Sequence, residues 1–479
     1  MKSHLFVLSF AATLFTLSAA ASACGGEEEE EAAAPTVTTE AAETAQPTLT
    51  RTAAAAASPT VEELACSDPQ PPFVTDFEVR QTPPLDEPQA RIPFRDPVFG
   101  TCLVRATDRK ADLSPDDPSP GLKNEYSRVQ SFNADGSRIL VRGIEATWYL
   151  YDAHTLQPLA ELPLGDEPRW DASDPNLIYF TVPDEIQLMS YNVQTAGQTL
   201  VHDFADDFPG QAVAYVWTHW EGRPSSDSRY WGLMANDVEG AVLAFLVYDR
   251  QTDQVIAKRD MRGVPGVEEG IDHVTISPLG NYFMASFEHY CERGQLGDDA
   301  HPCGLMVYDR NLTNGRSLLR IIGHYDPALD GEGREVIIFQ DIDQDNISLL
   351  DLASGTVTPL WPIDFSHTGM GFHFSGCAFN RPGWALVSTH SGGYPTDFTW
   401  MDNSVFAIEL KPNGRVLRLA HTHSVVDVTQ EQDYWAEPHA SVNQDFTRVV
   451  FTSNWGRSGT GEVEMFMIEL PPDWPERLP

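Results

Sequence analysis

The chain has 479 residues, and 70 acidic side chains against 31 basic ones leave a formal net charge of −39. A field of that sign repels phosphate backbones, which excludes general nucleic-acid binding. It also means that any anionic ligand must be met by a local group of cations or by a metal.

Residues 1–24 have the pattern of an export signal: Lys2, an apolar run over residues 5–20, then Ala21, Ser22, Ala23 and Cys24. Small residues ending in cysteine resemble a bacterial lipobox. The resemblance implies that Cys24 is lipidated and that the chain is exported and anchored to the cell envelope, on its periplasmic or extracellular face. No other segment approaches the roughly 18–20 apolar residues that span a bilayer, so the lipid is the expected membrane contact. Residues 25–64 are five glutamates followed by Ala, Thr, Pro and Ser. With almost no large apolar side chains, such a stretch buries too little surface to offset its ordering entropy and is expected to be a disordered tether. Residues 65–479 form the expected folded domain.

Five cysteines lie beyond Cys24. Cys291 and Cys303 flank a polar excursion between two apolar strands, a spacing that predicts a disulfide closing a hairpin loop. Cys66 and Cys102 bracket the first ordered segment, and a bond between them would staple it to the domain. Cys377 is left as a buried thiol. No Cys-x-x-Cys or Cys/His zinc spacing occurs.

From about residue 100 the chain repeats one unit: an inner residue, a small or polar turn, then an alternating apolar strand. The inner positions are Val129, Arg169, His219, His273, His324, His373 and His439. The turns that follow include Asn133-Ala134-Asp135-Gly136 and Ser277-Pro278-Leu279-Gly280. A second marker, an apolar run closed by a polar residue, falls at Asp152, Asn192, Asp249, Asp309, Asp351, Glu409 and Glu469. Both markers count seven. The spacing between inner residues, from 40 (Val129 to Arg169) to 66 (His373 to His439), is that of a four-stranded blade with variable loops. The expected fold is an all-β, seven-bladed propeller. These turns resemble the WD40-like repeats typified by the propeller of TolB, a resemblance that speaks to fold and not to function. Residues 101–107 alternate like a strand yet begin no blade, while the chain after residue 470 turns to proline. The N-terminal segment is therefore expected to supply the outermost strand of the last blade, which removes open sheet edges.

Blades three to seven carry histidine at the inner position: His219, His273, His324, His373 and His439. Ring symmetry maps equivalent positions onto one circle, so these imidazoles should converge at one end of the channel, with His219 the outlier. Convergent histidines are how proteins hold a divalent transition metal. Asp272, Asp326 and Glu437 stand near as further ligands or as carboxylates that orient the imidazoles. Arg169, at the matching place in blade two, is expected to face the anion such a metal holds and is the candidate catalytic residue. Trp435, near Trp455, is placed to stack on a sugar or to pack in the core.

Pro438-His439 followed by Phe451-Thr452-Ser453 is similar to the last blade of oligogalacturonate lyases. That resemblance implies a manganese site of histidines and a glutamine, and an arginine base for β-elimination. Here Glu437 stands where a second histidine would, and Gln430 and Gln432 are the candidate glutamines. No Gly-x-Ser-x-Gly elbow and no phosphate-binding glycine motif appears. Two function classes remain. One is a monomeric, lipid-anchored propeller binding a glycan, protein or metal (Mn, Zn or Ca) at a histidine-rich mouth, with Arg169, Glu437 and Trp435 as ligand contacts. The other is a metal-dependent uronate lyase using the same residues.

Overall fold

The computed structural model describes Cys66 and residues 72–182, 185–366, 368–391 and 399–479. The expected export signal, Cys24 and the tether over residues 25–64 lie outside them.

Seven antiparallel sheets form the domain. The inner strands of blades one to seven are Leu122–Lys123, Asp166–Trp170, Tyr215–Trp217, Ile271–Ile276, Tyr325–Leu329, Met370–Ser375 and Ser441–Val442. Each is followed by two strands largely buried on both faces and, in blades one to six, by an outer strand. The seven polar markers of the sequence close the third strands. Their chemistry explains the recurrence. Asp152, Asn192 and Asp351 each accept backbone N–H bonds from residues two or three ahead, turning the chain into the outer strand. The first marker works likewise: Asn133 Oδ1 accepts from Arg138 N and Asn443 Oδ1 from Arg448 N, closing the inner hairpin.

The core lies between blades rather than within them. Between blades six and seven, Leu386, Val405 and Leu417 pack against Val442, Phe451 and Phe466. Equivalent apolar seams follow around the ring.

The ring closes with the N-terminal strand. Cys102–Arg105 pairs with Glu464–Glu469, with Cys102 opposite Glu469 and Arg105 opposite Phe466. The structure adds what alternation alone does not reveal, a fifth strand in this blade. Phe94–Arg95 pairs outside Cys102–Arg105, through a turn in which Asp96 accepts from Val98 and Phe99 N–H while Gly100 adopts a left-handed φ of 70°. Upstream, the chain straps blade six, where Val74 bridges to Arg418. Both expected disulfides are present, Cys66–Cys102 and Cys291–Cys303, and Cys377 is a buried free thiol. Among the described residues no helix is long and apolar enough to cross a membrane.

Candidate metal centre at one end of the channel

Residues in or just before the inner strands of blades five, six and seven meet here. His373 sits in the inner strand of blade six, while His324 and His439 precede those of blades five and seven. Their rings touch: His373 lies 4.3 Å from His439 and 4.4 Å from His324, centroid to centroid. A fourth imidazole, His390 in the second strand of blade six, stacks 5.6 Å from His373. The inner-position pattern does not find it. The only trace is Gly371, opposite His390 in register, where a Cβ would come within 2.5 Å of that ring.

Glu437 stands among these rings. Its Oε2 is 2.7 Å from His373 Nε2 and 3.5 Å from His439 Nε2, and its Oε1 is 3.6 Å from His390 Nε2. The ligand atoms of His373, Glu437 and His439 all lie within 4.8 Å of one another. Donors around a tetrahedral ion at about 2.1 Å sit about 3.4 Å apart, so a slight opening of the Glu437–His373 contact accommodates one.

The backbone here is tightly pinned. His439 adopts a left-handed φ of 43°, uncommon for a residue with a side chain. Three blades pin it: Asn124 donates to its carbonyl at 2.6 Å, Thr452 N–H to the Pro438 carbonyl at 2.8 Å, and Ala440 N–H to Ser388 Oγ at 3.1 Å. Such a conformation persists only where the surroundings enforce it, and it clusters at functional sites.

Electrostatics leave the imidazoles neutral. Burial, reinforced by neighbouring cations and rings, pushes His324 and His373 down to about 3 and His390 to about 4, and holds His439 well below its ordinary value. A neutral imidazole has a lone pair to offer. His439 Nε2, His373 Nδ1 and His390 Nδ1 are buried with no hydrogen-bond partner, an arrangement that goes against the rule that buried polar atoms are paired. Lys123 Nζ lies 3.4 Å from His439 Nδ1, on the side away from Glu437, and burial pushes this lysine down to about 7.

His273 does not join this group. It belongs to a second cluster with Glu221 and Asp272, and Arg128 fills that one: its Nη1 is 2.9 Å from Glu221 and contacts both ring nitrogens of His273. His273 Nδ1 also meets Asp272 Oδ2 at 2.9 Å, and its ring stacks on Tyr325. Tyr126 joins the clusters, its ring 4.7 Å from His439 and 5.5 Å from His373. His219 stays apart, bonded to the Asp272 carbonyl in a turn where His219 and Trp220 both take left-handed φ.

Three further expectations need correcting. Arg169 does not face the cluster: it is buried, its Nη1 3.0 Å from both Glu125 oxygens, its other nitrogens on the Gly222 and Trp220 carbonyls. A saturated guanidinium holds the blade-three turn and has nothing left for a ligand. Asp326 is likewise consumed, by Arg223 at 2.7 Å and the Gly376 N–H at 2.5 Å. Gln430 and Gln432 lie against Gly459 and Gly461 rather than the imidazoles. Trp435 lies beside the cluster, under Lys123 Nζ at 5.3 Å and the Arg142 guanidinium at 5.6 Å.

No protein-family model and no curated protein matches the chain. Solved structures do. One is an oligogalacturonate lyase in complex with manganese, at TM-score 0.52 and 15% identity over 79% of this chain and 96% of that one. The fold is that of the oligogalacturonate lyase propellers. A second, the oligogalacturonate lyase of Vibrio parahaemolyticus, aligns at TM-score 0.53 and 13% identity over the same shares. Such likeness establishes the shared propeller.

Proposed function

We propose that this propeller binds a divalent transition metal through His373, Glu437 and His439, with His390 and His324 beside it, and that the metal receives an anionic group of a glycan. The observation that carries this is the His439 Nε2 atom, buried, without a hydrogen-bond partner and aimed at the Glu437 carboxylate. Neutral imidazoles with one carboxylate suit manganese or zinc better than calcium, which prefers oxygen. A bound ion would supply Lewis-acid polarisation of the anionic group; the chain's own residues orient it and exclude water from its buried side. Export and anchoring through Cys24 complete the reading, supported by the two disulfides, which persist in oxidising compartments. The protein acts as a monomer.

Metal analysis of the purified full chain tests this. One equivalent of manganese or zinc is expected, lost on replacing His373 and His439 together by alanine. Absence of any divalent ion from protein incubated with manganese and zinc overturns it.

A second reading, a metal-dependent uronate lyase, is favoured by one observation, the structural likeness to a manganese-complexed oligogalacturonate lyase. Its arginine base is not Arg169. Incubation with oligogalacturonate decides: unsaturated products that require manganese and His373 establish the lyase, and intact substrate leaves the binding protein.

A further inference from the structure

Among the described residues, three buried arginines around the channel are matched to carboxylates. Arg128 pairs with Glu221, Arg169 with Glu125 and Arg223 with Asp326. Arg142 has no such partner among the described residues, although the chain carries 70 acidic side chains from which one could be drawn. Its Nε is buried and makes no hydrogen bond. Its guanidinium instead rests between two indoles, 5.6 Å from the Trp435 ring and 5.7 Å from Trp148.

The register makes this odder. In blade one, Lys123 lies directly opposite Arg142, and Arg142 opposite Trp148. Directly opposed residues share a sheet face, and like charges there repel. Lys123 is 1% exposed, and its ammonium meets only the Glu125 carbonyl at 2.8 Å and His439 Nδ1 at 3.4 Å. Two cations thus face each other over one indole, one fully buried and the other half-buried, with no counter-charge bonded to either side chain. Packing alone does not call for this, since a methionine at 142 would fill the same slot without repulsion. Glu125 and Asp166 lie within electrostatic reach of Arg142 without bonding it, and an anion bound at the guanidinium would complete the pairing. The row runs outward from His439, so the place for that anion adjoins the metal centre.

We propose that Arg142, Lys123 and Trp435 form an anion subsite that takes a second charged group, a carboxylate or sulfate ester, on a sugar ring next to the one held at the metal. Arg142 reads the oxygens, Lys123 supplies field from below, and the Trp435 ring holds both cations in place. The ligand is then a polyanionic glycan with charge on neighbouring rings. This rests on the metal-centred reading above.

The test is calorimetric titration of the manganese-loaded full chain with trigalacturonate, its methyl ester and a sulfated carrageenan trisaccharide. Arg142→Gln is expected to weaken the charged sugar that wild type binds by about tenfold or more, the scale of one charge-assisted bond. Affinity for the methyl ester should not change, and the melting temperature should hold or rise as the repulsion with Lys123 is relieved. The trisaccharide that responds identifies carboxylate or sulfate. The subsite is overturned if folded Arg142→Gln binds as wild type does, if Arg142→Gln and Arg142→Met both fold and bind the methyl ester as weakly as the charged sugar, or if wild type binds neither charged sugar. Manganese bound in the His373- and His439-dependent manner without any sugar binding sinks the subsite alone. Arg142-dependent sugar binding by wild-type protein that takes up neither manganese nor zinc leaves the subsite standing and sinks the metal.

Discussion

Two clusters beside this channel begin from the same repeat position, a histidine in or just before an inner strand, and end differently. Around His373 and His439 the carboxylate of Glu437 meets neutral imidazoles and no cationic side chain enters between them. Around His273 the Glu221 carboxylate meets Arg128, which also contacts the imidazole and holds the place a metal would take, while Asp272 meets His273 Nδ1. The contrast teaches that a repeated histidine becomes a candidate ligand only where its neighbours withhold a charge.

The strongest way to break the contrast is to empty the second cluster. Arg128→Met should lower stability by about 3 kcal/mol, because it strands Glu221 beside Asp272 without a cation. Thermal melts in chelator would show that loss, and zinc added in excess should restore part of it by occupying Glu221, Asp272 and His273. A melt indifferent to zinc would mean that the two clusters differ in more than the arginine.

Weakening the first cluster comes next. Glu437→Gln keeps the shape and removes the charge, and manganese affinity should fall by at least about tenfold in competition with a chelator. Smaller still is the effect of His273→Asn. It should destabilise by about 1 kcal/mol through lost hydrogen bonds and leave metal stoichiometry where it was. If stoichiometry falls, the ion sits in the second cluster.

The smallest effect provides a baseline outside both. Burial first, then the neighbouring Glu167, raises the Asp166 carboxyl to about 6. Its folded-state affinity for a proton exceeds that of the unfolded chain, so its contribution to stability is complete below about pH 4 and is lost as pH rises through 6. Asp166→Asn should therefore raise the melting temperature slightly at pH 7.5 and leave it unchanged at pH 4, with metal binding unaltered at both.

The ring was legible because each blade needs the same two side-chain-to-backbone turns, and those turns need Asn, Asp or Ser at fixed places. Asp152 and Asp351 announce strand ends in the sequence for the reason that they make them. The closing strand was legible as an alternating segment with no blade of its own, but its partner Phe94–Arg95 is too short to alternate. Symmetry placed His324, His373 and His439 near one another. It misplaced Arg169, because symmetry fixes where a backbone position lies and not which neighbour its side chain finds; Glu125 decided that. His390, Lys123 and Arg142 left no periodic trace, being brought in by cross-strand register, which a single strand's pattern does not contain.

The closure of blade seven has a consequence in time. Cys102–Arg105 leaves the ribosome long before Glu464–Glu469 exists, so one edge of the N-terminal strand pair must wait for the last strand made. Contacts so distant along the chain are slow to form, and until they form the edges of blades one and seven are open to wrong partners. Once they form, no blade can leave without prising the ring apart at that seam. The lifetime of the folded ring is then governed by the height of one barrier to opening more than by its equilibrium free energy.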